Sequence, residues 1–263
     1  MKGAASANAT TCLIDVVFPG DTNHHGTLFG GAGLAYMDKV AFIAASRHAQ
    51  VDFVTASCER IDFKAPANLG DIVELNGRVI RVGRRSLAVA VDMVAEAPLS
   101  AERRLCARGI FNMVAVGRAG QTYAGPLPRL PSLPSASAAD PALRMVEAVF
   151  PGETSHYGSL YGGNALAAMA KSAFIVATRH CRQAVMLASS QRVDLVSQVQ
   201  KGEVVELTPR LVHTGVRSMA IEVGLWAENL QSGMRRACGR GTFIMVATAG
   251  HSGGVEGSDT LAL

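Results

Sequence analysis

Residues Val17–Ala115 return as Val149–Ala247 at a constant shift of 132 without a gap, and about 46 of the 99 aligned positions are identical. FPGDTNHHGTLFGG at Phe18–Gly31 becomes FPGETSHYGSLYGG at Phe150–Gly163, and VGRRS at Val82–Ser86 becomes TGVRS at Thr214–Ser218. Two copies are too few for a solenoid, whose repeats need several neighbours to cover their apolar faces. The duplication therefore predicts two like domains packed as a pseudo-dimer. A chain of 263 residues has room for both, and its 49% hydrophobic content can supply a core to each.

Each repeat reads as a strand, a long helix and then four strands. In the first, Leu13–Phe18 is short and β-prone, and Leu28–His48 is a helix apolar on most sides, a pattern that predicts a helix wrapped by other structure. Val51–Phe63, Val73–Val82, Leu87–Ala95 and Arg104–Val116 follow as strands, with turns at Ala65-Pro66 and Gly70-Asp71. The second repeat places its helix at Leu160–His180 and its strands at Val185–Leu195, Val204–His213, Met219–Ala227 and Arg236–Ala247. The predicted class is α+β, a helix swaddled by an antiparallel sheet, made twice. Domain 1 is expected over 12–116, a Pro/Ser-rich linker over 117–143, domain 2 over 144–249 and a flexible tail over 250–263.

Several function classes are disfavoured. The longest apolar stretch, Leu28–Ala45, is interrupted by Asp38 and Lys39, so no membrane span is expected. Met1–Thr11 holds no apolar run of signal-peptide length, which makes the cytoplasm the expected location. The five cysteines are scattered; Cys106 and Cys238 are repeat equivalents on strand-like segments and read as small buried apolar residues. A net charge of +4 is weak for nucleic acid and suits a small polyanionic ligand. No HExxH or CxxC occurs, and no strand-to-helix nucleophile elbow is read, so neither a metal site nor a Ser-His-Asp nucleophile is expected.

The repeats differ at polar positions. Asp38 becomes Ala170, Thr55 becomes Leu187 and Asn23 becomes Ser155. An ionisable group inside an apolar helix is costly unless paired or useful. The joint loss of Asp38 and Thr55 suggests that both serve one site. Gly30-Gly31 and Gly162-Gly163 open their helices, where first-turn amides lack intrahelical partners and can hold an oxygen that gains charge. The plain structural readings stay open: close helix–sheet approach for the glycines, an ion pair with Lys39 for Asp38, and a turn role for Asn23.

The run Asn23-x-x-Gly26-x-x-Phe29-Gly30-Gly31, with Met37-Asp38, Arg47-His48, Val54-Thr55-Ala56-Ser57, Asp62-Phe63-x-x-Pro66, Gly70-Asp71 and Gly83-Arg84-x-Ser86, resembles the hotdog-fold acyl-CoA thioesterases. The likeness is greatest to the cytosolic acyl-CoA hydrolase group, which includes tandem, double-hotdog members. It implies hydrolysis of acyl-CoA to free fatty acid and CoA without metal or cofactor, CoA being part of the substrate. It also implies a site that combines the Asn loop and helix tip of one hotdog with the helix Asp of the other.

No seam between the two halves holds the complete family pair. One would hold Asn23 and Gly30 opposite Ala170. The other would hold Asp38 and Thr55 opposite Ser155 and Gly162, and this second seam, formed within the chain, is the expected working site. Asp38 would be the general base for water or a nucleophile. For CoA phosphates the candidates are Gly83, Arg84, Arg85 and Ser86, with Gly215, Arg217 and Ser218 in the second repeat, since arginine offers a planar fork to phosphate. A solvated hairpin is the alternative. The resemblance further implies a homo-oligomer, a trimer of double hotdogs. A degenerate hotdog that binds acyl-CoA without turnover is the rival function. A hotdog dehydratase is disfavoured, because Phe29 and Tyr161 stand where a catalytic His would be needed.

Overall fold

The computed structural model describes residues 10–59, 61–117, 123–130, 143–149, 152, 154 and 158–248. Domain 1 comprises β1 (Thr11–Val16), a 3-10 turn at Pro19–Asp21, α1 (Gly30–Ala49), β2 (Asp52–Cys58), β3 (Asp62–Phe63), β4 (Ile72–Val82), β5 (Ser86–Glu96) and β6 (Arg103–Val116). Domain 2 comprises β7 (Met145–Ala148), α2 (Gly162–Cys181), β8 (Val185–Leu195), β9 (Val204–Thr214), β10 (Ser218–Glu228) and β11 (Arg235–Ala247). The sheet orders are β1-β4-β5-β6-β2, with β3 also on β6, and β7-β9-β10-β11-β8, both antiparallel. This is the expected tandem hotdog. The expected strand Val51–Phe63 is broken into β2 and β3, whereas its repeat β8 runs unbroken. Most of the expected linker and tail lies outside the described residues. At Leu127 the chain lies buried over domain 1, with its N–H on the Arg84 carbonyl, and the His48 ring meets the Pro128 carbonyl.

The helices are apolar nearly all round because each is covered on two sides. Met37, Val40, Ala41, Ala44 and Ala45 of α1 pack into its own sheet. Ile43 instead packs on Val146, Ala148 and Val204 of domain 2. The repeat equivalent Ile175 packs among Ile14, Val16 and Ile72 of domain 1. The side of β1 and β4 turned away from α1 is thus covered by α2, and β7 and β9 are covered likewise by α1.

Charges follow the same pseudo-twofold. Arg47 donates to Glu228 at 2.5 Å, and its counterpart Arg179 donates to Glu96 at 2.8 Å and Glu74 at 3.1 Å. Lys171 meets Asp15 at 2.7 Å, and Lys39 meets Glu147 at 3.6 Å. The Glu96 side chain is only 3% exposed. Burial alone would raise its pKa, but the hydrogen bonds and charges of Arg182 and Arg179 outweigh that and hold it below the ordinary carboxylate range. Cys106 and Cys238 are fully buried free thiols, raised by that burial.

The seam leaves the opposite edges open. Along β2 and β8 and at the helix tips, Val54 (50%), Met186 (56%), Phe29 (59%) and Tyr161 (60%) are exposed, and both strands pair on one side only. Long apolar edges of this kind are templates for pairing with another chain.

Candidate functional site

Both helix tips are built alike. Phe29 and Tyr161 are extended N-caps (φ −62°, ψ 130° and φ −65°, ψ 132°) without a side-chain cap bond. Each ring lies over the second glycine: a Cβ on Gly31 would sit 2.5 Å from Phe29 Cε1, and one on Gly163 would sit 2.7 Å from Tyr161 Cε1. A side chain at either position would push the ring aside. A Cβ at Gly30 or Gly162 would make only ordinary contacts, with Phe63 at 3.9 Å and Leu195 at 3.8 Å. Gly30 borders a cavity of about 340 Å³ with Phe63, Pro66 and Met93, and Gly162 borders one of about 180 Å³ with Leu195, Gln198 and Leu225. The amides of Gly30 and Gly31 have no backbone acceptor among the described residues, since the first helical bond is Gly33 to Phe29. These are donors at the positive end of a helix dipole.

Asp38 is half-buried and accepts a hydrogen bond of 2.5 Å from Thr55 Oγ1, whose oxygen lies 3.5 Å from Met113 Sδ. The structure therefore joins the two residues that repeat 2 loses together. Among the described residues no contact joins Asp38 to Gly162 within the chain. Asp38 is tied to β2, at one edge of its sheet, and domain 2 seats on β1, at the other. The two domains pack within the chain as expected, with the helices covering the outer faces of the β1 and β7 edges, and the β2 edge beside the candidate carboxylate stays unpaired among the described residues.

Asn23 spends its side chain on its own loop. Its Oδ1 accepts from the His25 N–H at 2.9 Å and the Thr27 N–H at 3.3 Å, while Nδ2 donates to Thr27 Oγ1 at 3.0 Å. This geometry supports the turn role left open above, with Gly26 at φ 72° in the same loop. Ser155 lies outside the described residues.

A profile of the thioesterase superfamily matches residues 25–101 and again 157–233, two ranges separated by the same 132. The chain belongs to the thioesterase superfamily. A crystal structure of an acyl-CoA hydrolase from Agrobacterium tumefaciens is 49% identical and superposes with a TM-score of 0.83 over 92% of this chain and 96% of that one. An uncharacterized acyl-CoA thioester hydrolase of Bacillus subtilis is 40% identical over 43% of this chain and 65% of its own length. The cytosolic acyl coenzyme A thioester hydrolase of Homo sapiens is 32% identical over 45% of this chain and 31% of its own length. The aligned part thus spans less than two thirds of these two curated relatives.

In this superfamily member the Gly83–Ser86 and Gly215–Ser218 turns are tight, each closed by a 2.7 Å bond from the glycine N–H to the serine carbonyl. Arg84 and Arg85 are exposed, whereas Arg217 also donates to the Ala247 carbonyl at 3.1 Å. The first turn lies beside Ala115, which donates to the Arg85 carbonyl, and Ala115 pairs with Phe53 near the start of β2. That is the C-terminal end of α1, about 30 Å along the helix from Gly30. No single domain brings its helix tip to its arginine turn. Arg192 pairs with Asp194 at 2.9 Å along β8, both side chains largely exposed.

Two features escaped sequence reading. One is the duplicated ion-pair set of the seam, whose signal was the recurrence of Asp15/Glu147, Lys39/Lys171, Glu74/Glu206 and Glu96/Glu228. The other is the exchange of Tyr36 for Ala168 on the helices, visible in the same alignment.

Proposed function

We propose that the chain hydrolyses acyl-CoA thioesters to a carboxylic acid and free CoA, without metal or cofactor, at a site completed between two copies. Asp38 and Thr55 come from domain 1 of one chain, and the Gly162–Gly163 tip comes from domain 2 of the next. Superfamily membership and the 49% identical acyl-CoA hydrolase support the reaction. The observation that carries the placement is the Asp38–Thr55 hydrogen bond on the open β2 edge, where domain 2 has Ala170 and Leu187.

Antiparallel pairing of β2 with β8 of another chain covers both apolar edges. It also reverses one domain against the other, so the Arg84–Arg85 turn approaches the Gly162 end, where the CoA phosphates would lie. The Asp38 carboxylate then takes a proton from water, which attacks the thioester carbonyl. The helix-tip amides hold the oxyanion, and the CoA thiolate leaves with the proton that Asp38 received. Such a contact is head-to-tail and closes as a ring. Three tandem chains, six hotdogs, is the proposed form, and the cytosol, as for the Homo sapiens relative, is the proposed compartment.

The lack of a contact between Asp38 and Gly162 among the described residues also favours a second reading, acyl-CoA binding without turnover. Mixing the purified protein with acyl-CoA and a thiol-reactive dye decides between them. Turnover that falls about 10²–10⁴-fold in Asp38→Ala is expected. Tight binding with no thiol release by the unaltered protein would sink the hydrolytic reading.

A further inference from the structure

The cavity at the α2 tip does not end beside Gly162. Its walls Leu160, Ala165 and Leu225 also line a second cavity of about 200 Å³, which continues past Ala168 and reaches Glu147 and Lys171. That far end is charged. Lys171 is held by Asp15 of domain 1 at 2.7 Å; burial works against its charge, but Asp15, Glu147 and Asp21 together raise it above the ordinary lysine range. Two adjoining hollows that share these walls thus line up along α2, one beside the Gly162 tip and the other beside the Lys171–Asp15 ion pair.

Domain 1 keeps the framework, with Leu28, Gly33 and Met93 at the positions of Leu160, Ala165 and Leu225, but has Tyr36 at the position of Ala168. The Tyr36 ring packs against the domain 1 core and its hydroxyl bonds Asp21. A phenol occupies one repeat where the other has a methyl group.

We infer that the channel behind Gly162 holds the acyl chain of the thioester bound at that tip, and that Ala168 sets the length it accepts. The inference rests on the assignment of Gly162 to the working site. Six helical residues separate Gly162 from Ala168 and nine separate it from Lys171, about 9 Å and 13 Å along the axis. An extended chain advances about 1.2 Å per bond, a third of the span of a three-bond peptide unit. Roughly seven or eight carbons reach Ala168, and about eleven reach Lys171. The substrates are medium-chain acyl groups, and longer chains must meet the ion pair.

The test uses the full-length protein and non-hydrolysable thioether analogues of acyl-CoA from C2 to C16, alongside kcat/KM for the matching thioesters. Affinity rises about four-fold per methylene as apolar surface is buried, and levels off near C12. In Ala168→Tyr the rise stops near C8, and the C12-to-C2 ratio falls by about 10²-fold. Ala168→Val, a smaller change, gives an intermediate cut-off and serves if the tyrosine variant does not fold. An unchanged C12-to-C2 ratio in both variants overturns the inference, as does a wild-type affinity that is flat beyond C4. Graded thioether binding without any thiol release would remove the hydrolytic reading and leave the channel assignment standing.

Discussion

Completion of the site between chains makes two inactive variants rescue one another. Asp38→Ala removes the carboxylate. Gly162→Pro removes a tip amide with little cost to the fold: proline is favoured at the first helical position, and Tyr161 at φ −65° and ψ 132° already has the extended backbone that a following proline requires. A Cβ at Gly162 meets only Leu195 Cδ1, at an ordinary 3.8 Å. Alone, the first variant loses about 10²–10⁴ in kcat and the second about 10²–10³. In a three-chain ring each site takes Asp38 from one chain and Gly162 from the next, so every mixed ring contains one intact site, about a third of wild-type activity. Co-expression with two different tags, sequential purification on both and a thiol-release assay measure that fraction. Mixed rings no more active than the single variants would refute completion between chains. A fully active Gly162→Pro, with Gly30→Pro inactive, would instead mean that β2 pairs with β2.

Thr55→Val keeps the side-chain shape but deletes the 2.5 Å hydrogen bond to Asp38; kcat should fall about ten-fold with KM nearly unchanged, and a change in KM alone would contradict a positioning role. Val54→Lys places a charge on the open β2 edge, so solution mass and activity should fall together; a full-size, active assembly would show that this edge is not the contact. Glu96→Gln should lower unfolding free energy by about 2–3 kcal/mol, less than for a fully buried pair because Arg182 is partly exposed. Glu74, Glu96 and Glu203 are all held below the ordinary carboxylate range, since hydrogen bonds and charges from arginines and Asn76 outweigh burial. Their contribution is complete above the unfolded value of about 4.3 and is lost as pH falls below it, so urea midpoints should drop between about pH 4 and pH 3, less steeply in Glu96→Gln.

The helices and strand hairpins were legible because their periodicities and turn residues are local. α1 begins two residues after the expected Leu28 and ends one after His48, where Gln50 adopts φ 56° as its left-handed cap. The Asp38–Thr55 contact was legible for a different reason: the second repeat loses both partners at once. The packing of the halves was not. β1 reads TCLIDV, with Leu13 turned to its own core and Ile14 and Val16 turned to α2. A strand buried on both faces loses the alternation that would reveal which side meets what. The helices gave the same ambiguity, since an all-round apolar surface does not say which stripe faces the second domain. Asn23 shows the limit of a residue type, because a turn and a substrate contact both favour asparagine.

The two halves diverge in one direction. If β2 of one chain meets β8 of the next, the two resulting site types are unlike. One has Asp38 and Thr55 facing a tip whose channel is open past Ala168. The other has Ala170 and Leu187 facing the Gly30 tip, behind which stands Tyr36. The carboxylate and the proposed acyl channel lie in different domains, more than 100 residues apart in sequence, so neither loss is a packing consequence of the other. Random decay would remove a base from one site type and fill the channel of the other as readily as it would strike one site twice. Here both changes fall on the same site type, and the complementary parts survive together on the other. That coincidence is what a duplicated enzyme shows when one class of site keeps working and the other is retained for the fold, where α1 still carries half of the seam through Lys39, Ile43 and Arg47.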